Sequence, residues 1–136
     1  FSEIAMNSGS ATAPATDTFT PHGDGHPALS DVTVRRAIRM AIDSQQLVDK
    51  VLLGAGQAGD TIIPPVSVAG ARYAPTGSDL IAWDIPGANA MLDAADYKDC
   101  DGDGVREMPG CGQSLVFRYY VRTSSQSSID ASEYVK

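Results

Sequence analysis

One helical pattern constrains the fold of this chain more than any other feature of its sequence. Ser30 and Asp31 are residue types that cap the first turn of an α-helix, and they come directly before a run with a regular apolar spacing. The apolar residues of that run are spaced as on one face of a helix: Val34, Ala37, Ile38, Ala41 and Ile42. The spacing predicts an amphipathic helix over Asp31–Ile42 that packs one face against a core.

Further segments complete a prediction of the α/β class. Asp43, with Gln46 at the capping-box position, predicts a helix over Ser44–Leu53. A third amphipathic pattern predicts a helix over Pro86–Ala95. The β-prone run Leu115–Val121 and the short apolar segment Phe1–Met6 predict strands. We therefore expect a small mixed sheet flanked by helices, in a single domain of residues 1–136.

The segment Ser8–Pro27 is rich in Ser, Thr, Ala, Gly and Pro. Such a composition buries too little apolar surface to offset the entropy of ordering, so it predicts a long exposed loop. The two histidines, His22 and His26, fall in this loop without a nearby cluster of metal ligands. We predict that both are solvated.

Charge and motifs exclude several classes of function. The formal net charge is -7 with only 10 Lys and Arg residues, which argues against a nucleic-acid partner. No phosphate loop, dinucleotide-binding fingerprint, nucleophile elbow or zinc-protease motif occurs. We predict that the protein is not an enzyme and uses no cofactor.

The two cysteines, Cys100 and Cys111, bracket a turn-rich segment. A bend between them would bring their Cα atoms within disulfide range, although two buried reduced thiols would also fit the sequence. We predict the disulfide, which would place the protein outside the reducing cytosol.

The same segment begins like a calcium loop. Asp99, Asp101 and Asp103 alternate and are followed by a glycine, but the position where an EF-hand has its bidentate Glu is Gly110. Glu107 would be a late ligand only in a shorter loop, and Asp-Gly pairs are also typical of tight hairpins. The pattern predicts no metal site; a calcium-stabilised extracellular interaction module is kept as the alternative function.

A series of motifs that begins with His26–Ile38 and continues through Ile63-Pro64-Pro65 to Asp101–Glu107 resembles the family 5 extracellular solute-binding proteins, the dipeptide- and oligopeptide-binding components of ABC importers. The most specific is the segment His26–Ile38, and Ala41-Ile42-Asp43 continues it. Ile63-Pro64-Pro65, the segment Asp84–Tyr97 that contains the third predicted helix, and the segment Asp101–Glu107 follow as in that family. The resemblance covers nearly the whole chain.

The resemblance implies a type II periplasmic-binding-protein-like fold in which two lobes close around a ligand, with this chain as a fragment of the second lobe. It implies a peptide or oligopeptide ligand, a membrane permease as partner of the full-length protein, a monomer, and a periplasmic or cell-surface location. A lipid anchor is left open. Arg122, Thr123 and Ser124 match the region that borders the cleft and are the expected substrate-binding residues. The best-known ligand contacts of the family lie downstream of Lys136.

Overall fold

The computed structural model describes residues 4–6, 25–59, 61, 67, 76–77 and 80–135. A 3-10 helix, Pro27–Ser30, leads into the first of the α-helices of this part of the chain. These are α1 (Val32–Ala41), α2 (Ser44–Val51), α3 (Ile85–Ala94) and α4 (Gln126–Val135). The first three agree with the predicted helices to within two residues at each end. The predicted connector Ile63–Pro65 and most of the predicted loop Ser8–Pro27 lie outside the described residues.

The chain forms two compact units. One, here the α1–α3 unit, consists of residues 4–41 and 84–118. The other, the α2–α4 unit, consists of residues 1–3, 42–83 and 119–136.

The core of the α1–α3 unit is built where α1 and α3 pack together. Ala28, Val34 and Tyr97 are its buried centre. Partly buried apolar side chains surround them: Leu29, Ile38, Leu92, Ala95, Met108, Leu115 and Phe117. The Asp84 amide also donates to the Met40 carbonyl over 2.9 Å, which joins the start of α3 to the end of α1. Much of this core comes from loop segments that fold back onto the helix pair.

An aspartate supports the first turn of three of the helices, and at α3 this is Asp84, which accepts from the Gly87 amide at 2.9 Å. Asp31 accepts a hydrogen bond from the Thr33 amide at 2.8 Å at the start of α1. Asp43 accepts from the amides of Gln45 and Gln46 at the start of α2, which confirms the predicted cap. Such side chains satisfy amide groups that have no partner within the helix and place negative charge at the positive end of its dipole.

The α2–α4 unit pairs α2 with α4. Val48 of α2 and Ser132 of α4 are its buried residues within the described helices. The Ser132 hydroxyl donates to the Ile129 carbonyl at 2.7 Å, so its burial leaves no unsatisfied donor. The Tyr134 hydroxyl donates to Gln46 Oε1 at 3.3 Å, a second link between the helices.

The predicted sheet is not shown in the part of the chain that the structure describes. Leu115–Val121 contains no strand, and of the other predicted strand only residues 4–6 are described, without strand structure. An isolated antiparallel bridge joins Glu107 and Ser114. Beyond this bridge the Val116 amide donates to the Ser114 carbonyl at 2.8 Å, so the two segments do not continue as paired strands. The β-prone composition of this run therefore serves to pack Leu115 and Phe117 on the core.

Candidate functional site

His26 is a structural residue, so the prediction that it is solvated is wrong. It is half-buried, and its Nδ1 accepts from the Ala28 amide at 3.2 Å. Its Nε2 therefore carries the proton and donates to the Ser114 carbonyl at 2.9 Å. The ring also lies edge-on to Phe117, with centroids 5.1 Å apart. His26 thus fixes the entry to α1 against the segment after the Glu107–Ser114 bridge. His22 lies outside the described residues.

A second polar link joins the α1 cap to the end of α3. The buried Tyr97 hydroxyl donates to Asp31 Oδ2 at 2.9 Å, while Asp31 Oδ1 holds the Thr33 amide. The hydrogen bond from the Thr33 backbone amide is the main cause that holds the pKa of Asp31 below its usual value, and the hydrogen bond from the Tyr97 hydroxyl is a further cause. Burial, reinforced by the hydrogen bond to Asp31, raises the pKa of Tyr97 to about 12. At neutral pH, Tyr97 is therefore an uncharged phenol and Asp31 is a charged carboxylate.

Arg35 completes this arrangement. Its Nη1 donates to the carbonyls of Leu29 and Ser30 at 2.7 and 2.9 Å, which ties α1 to the preceding 3-10 helix. His26, Asp31 and Arg35 all belong to the segment that carries the family resemblance, and all three bind the chain itself. The most specific motif of the sequence is therefore the scaffold of the α1–α3 unit.

The turn-rich segment contains the predicted disulfide between Cys100 and Cys111, with Cα atoms 5.8 Å apart. Here the structure groups side chains differently from the sequence pattern. Carboxylate oxygens of Asp99, Asp101 and Glu107 lie within 4.8 Å of one another, and Asp103 is not in this group. The sequence pattern groups the three aspartates and admits Glu107 only as a late ligand of a shorter loop, whereas the fold places Glu107 beside Asp99 and Asp101.

The predicted substrate-binding residues, Arg122, Thr123 and Ser124, lie in the α2–α4 unit just before α4. All three are exposed, and the last two form a turn.

Comparison with known proteins assigns the chain to a family. The family model described as bacterial extracellular solute-binding proteins, family 5 Middle, matches residues 2–136. None of the curated proteins matches the chain. Among the described residues, no helix has the length and apolar character needed to cross a membrane.

Membership carries general properties. Proteins of this family have a periplasmic-binding-protein-like α/β fold, bind solutes outside the cytoplasm for import by ABC transporters, and are generally not enzymes. The alternative of a calcium-stabilised extracellular interaction module receives no support from the comparisons. With residues 2–136 matched, this chain belongs to the family 5 bacterial extracellular solute-binding proteins.

Proposed function

We propose that this chain is part of the second lobe of an extracytoplasmic binding protein that captures peptides and delivers them to an ABC permease. The observation that carries the proposal is the family match over residues 2–136, whose model describes the middle of such proteins. The peptide class comes from the motif order of the sequence, beginning with His26–Ile38. We further propose that residues 1–136 are one domain of a monomeric protein.

A binding lobe needs a rigid scaffold and a polar rim. Rigidity limits the entropy lost on binding, and the links from His26 to Ser114 and from Tyr97 to Asp31 supply it in the α1–α3 unit. Import requires reversible capture and release, so hydrogen bonds and charges suffice and no covalent step is needed.

We propose Arg122, Thr123 and Ser124 as the peptide-contacting residues of this chain. They are exposed and precede a helix, where a polar turn is accessible to a ligand. A guanidinium forms paired hydrogen bonds with a carboxylate, so Arg122 would bind a peptide carboxylate. The two hydroxyls both donate and accept, which suits the amide groups of an extended peptide backbone.

The test uses the full-length protein in a thermal-shift panel of short peptides, free amino acids, sugars and nickel. A ligand that binds only the folded state raises the melting temperature, so we expect the peptides to produce the largest rise. A rise with sugars or nickel and none with peptides would reject the peptide assignment while leaving solute binding intact.

Substitution tests the residues. We expect Arg122→Ala to weaken peptide binding by about tenfold, which corresponds to about 1.4 kcal/mol. Arg36→Ala is the matched control, because Arg36 is an exposed arginine on α1, and it should leave peptide affinity unchanged. Equal affinities for wild type and Arg122→Ala would remove this residue from the site.

A further inference from the structure

We propose that Asp99, Asp101 and Glu107 form a calcium-binding site in the segment closed by the Cys100–Cys111 disulfide. The sequence pattern alone predicts no metal there; the geometry points to one. One carboxylate oxygen from each of the three residues lies within 4.8 Å of the others. Calcium binds oxygen ligands at about 2.3–2.6 Å, so two oxygens bound to one ion lie at most twice that distance apart. The 4.8 Å limit on the separation of these carboxylate oxygens fits that geometry.

Glu107 is the observation that points to a ligand. Its side chain is 5% exposed, and its Oε1 is buried without a hydrogen-bond partner. Its Oε2 accepts from the Cys100 amide at 2.7 Å. A buried carboxylate with an unpaired oxygen is costly, because the oxygen has lost its water and gained nothing in exchange. A cation beside Asp99 and Asp101 would supply the missing partner.

The loop also shapes the two aspartates. Asp99 accepts from the Gly102 amide at 2.7 Å through Oδ1 and from the Gly104 amide at 3.0 Å through Oδ2. Both glycines have positive φ values, 80° and 90°, which residues other than glycine rarely adopt. These bonds hold the Asp99 carboxylate in place while each oxygen keeps a second lone pair for a cation.

Within the described turn-rich segment and its flanks, the basic side chains of Lys98 and Arg106 are bound elsewhere. Lys98 pairs with Asp96. Arg106 binds Asp93 and the Tyr97 carbonyl, both at 2.6 Å. Three carboxylates whose oxygens converge repel one another, and a divalent cation removes that repulsion.

The chemistry favours calcium over magnesium. Calcium accepts about six to eight oxygen ligands in irregular geometry, and backbone carbonyls or water complete such a set. Magnesium demands near-octahedral geometry and dehydrates reluctantly. By closing a loop that includes a buried acid, the ion would stabilise the α1–α3 unit, which is a role separate from solute binding.

The experiment titrates calcium into the metal-free full-length protein by calorimetry and follows the melting temperature with calcium, magnesium or a chelator. We expect one ion per chain, a dissociation constant of about 0.1–1 mM as in other extracellular sites, and a higher melting temperature with calcium than with magnesium. Absence of calcium heat and of a melting shift at saturating concentration would overturn the proposal, as would equal shifts with both metals.

Two variants locate the ion. Glu107→Gln keeps an acceptor for the Cys100 amide but removes the charge. Asp101→Asn keeps an acceptor for the Asp103 amide and removes the charge at an exposed position. We expect at least tenfold weaker calcium binding in each, whereas Asp49→Asn on α2 removes one exposed charge and should bind as wild type. If Glu107→Gln does not fold, Asp101→Asn decides alone. Wild-type calcium affinity in the folded variants would refute the assignment.

Discussion

Removing the Tyr97 hydroxyl by Tyr97→Phe should destabilise the α1–α3 unit by about 1–1.5 kcal/mol at pH 7. The hydroxyl donates to Asp31 Oδ2 at 2.9 Å, and Tyr97 is 3% exposed. A hydrogen bond to a charged acceptor contributes about 1.5–3 kcal/mol, and we take a value below that range because water reaches the half-buried Asp31. The ring stays in the core, so no cavity term is added.

A double-mutant cycle isolates this bond. Asp31→Ser retains a good helix cap but is too short to hold both Thr33 and Tyr97, so it serves as the second arm of the cycle. Denaturant unfolding of wild type, both single variants and the double variant should give a coupling energy of about 1 kcal/mol at pH 7. Additive effects at pH 7 would refute the reasoning.

The coupling should also depend on pH with a definite sign. The folded state lowers the pKa of Asp31 below 3.8, so this carboxylate stabilises the fold above that value. Its contribution is lost as the pH falls through the lowered pKa, because protonation then weakens the acceptor. A coupling energy that grows on acidification would contradict the charged hydrogen bond.

Three further predictions concern the same unit. Replacing Cys100 and Cys111 with serine should lower the free energy of unfolding by about 3 kcal/mol in denaturant titrations, and the reduced wild type should match the variant. Gly87→Ala should destabilise the fold by about 1 kcal/mol in the same titrations, although alanine favours helices. The reason is that the alanine Cβ would lie 2.1 Å from the capping Asp84 carboxylate. A variant more stable than wild type would show that the cap adjusts freely. Burial and the Asp31 bond raise the pKa of Tyr97 from 10.0 to about 12, so wild type should lose stability between these pH values, and Tyr97→Phe should lack that part of the loss.

The first three helices were predictable because two local signals coincide at each. Apolar periodicity marks the buried face, as Val34 and Ala37 do in α1, and a capping aspartate marks the start, as Asp43 does in α2. Both signals depend on residues within one or two turns of each other. The disulfide was predictable for a similar reason, since the turns between the cysteines are encoded nearby.

Contacts distant in sequence were not predictable. The His26–Ser114 bond joins residues 88 positions apart, so the local Gly and Pro context of the histidine suggested a solvated loop. Strand propensity in Leu115–Val121 reflects apolar burial of alternate residues, which a segment achieves without a partner strand. In α4 the buried face includes Ser132, a polar residue paired with its own helix backbone, which conceals the amphipathic pattern.

Calorimetric titration of the full-length protein with short peptides tests the central claim most directly. If this chain is part of a lobe that grips peptides, heat should saturate at one peptide per protein, and Arg122→Ala should shift the curve to weaker affinity. Peptides that release no heat, beside a sugar or metal that saturates the protein, would contradict that account.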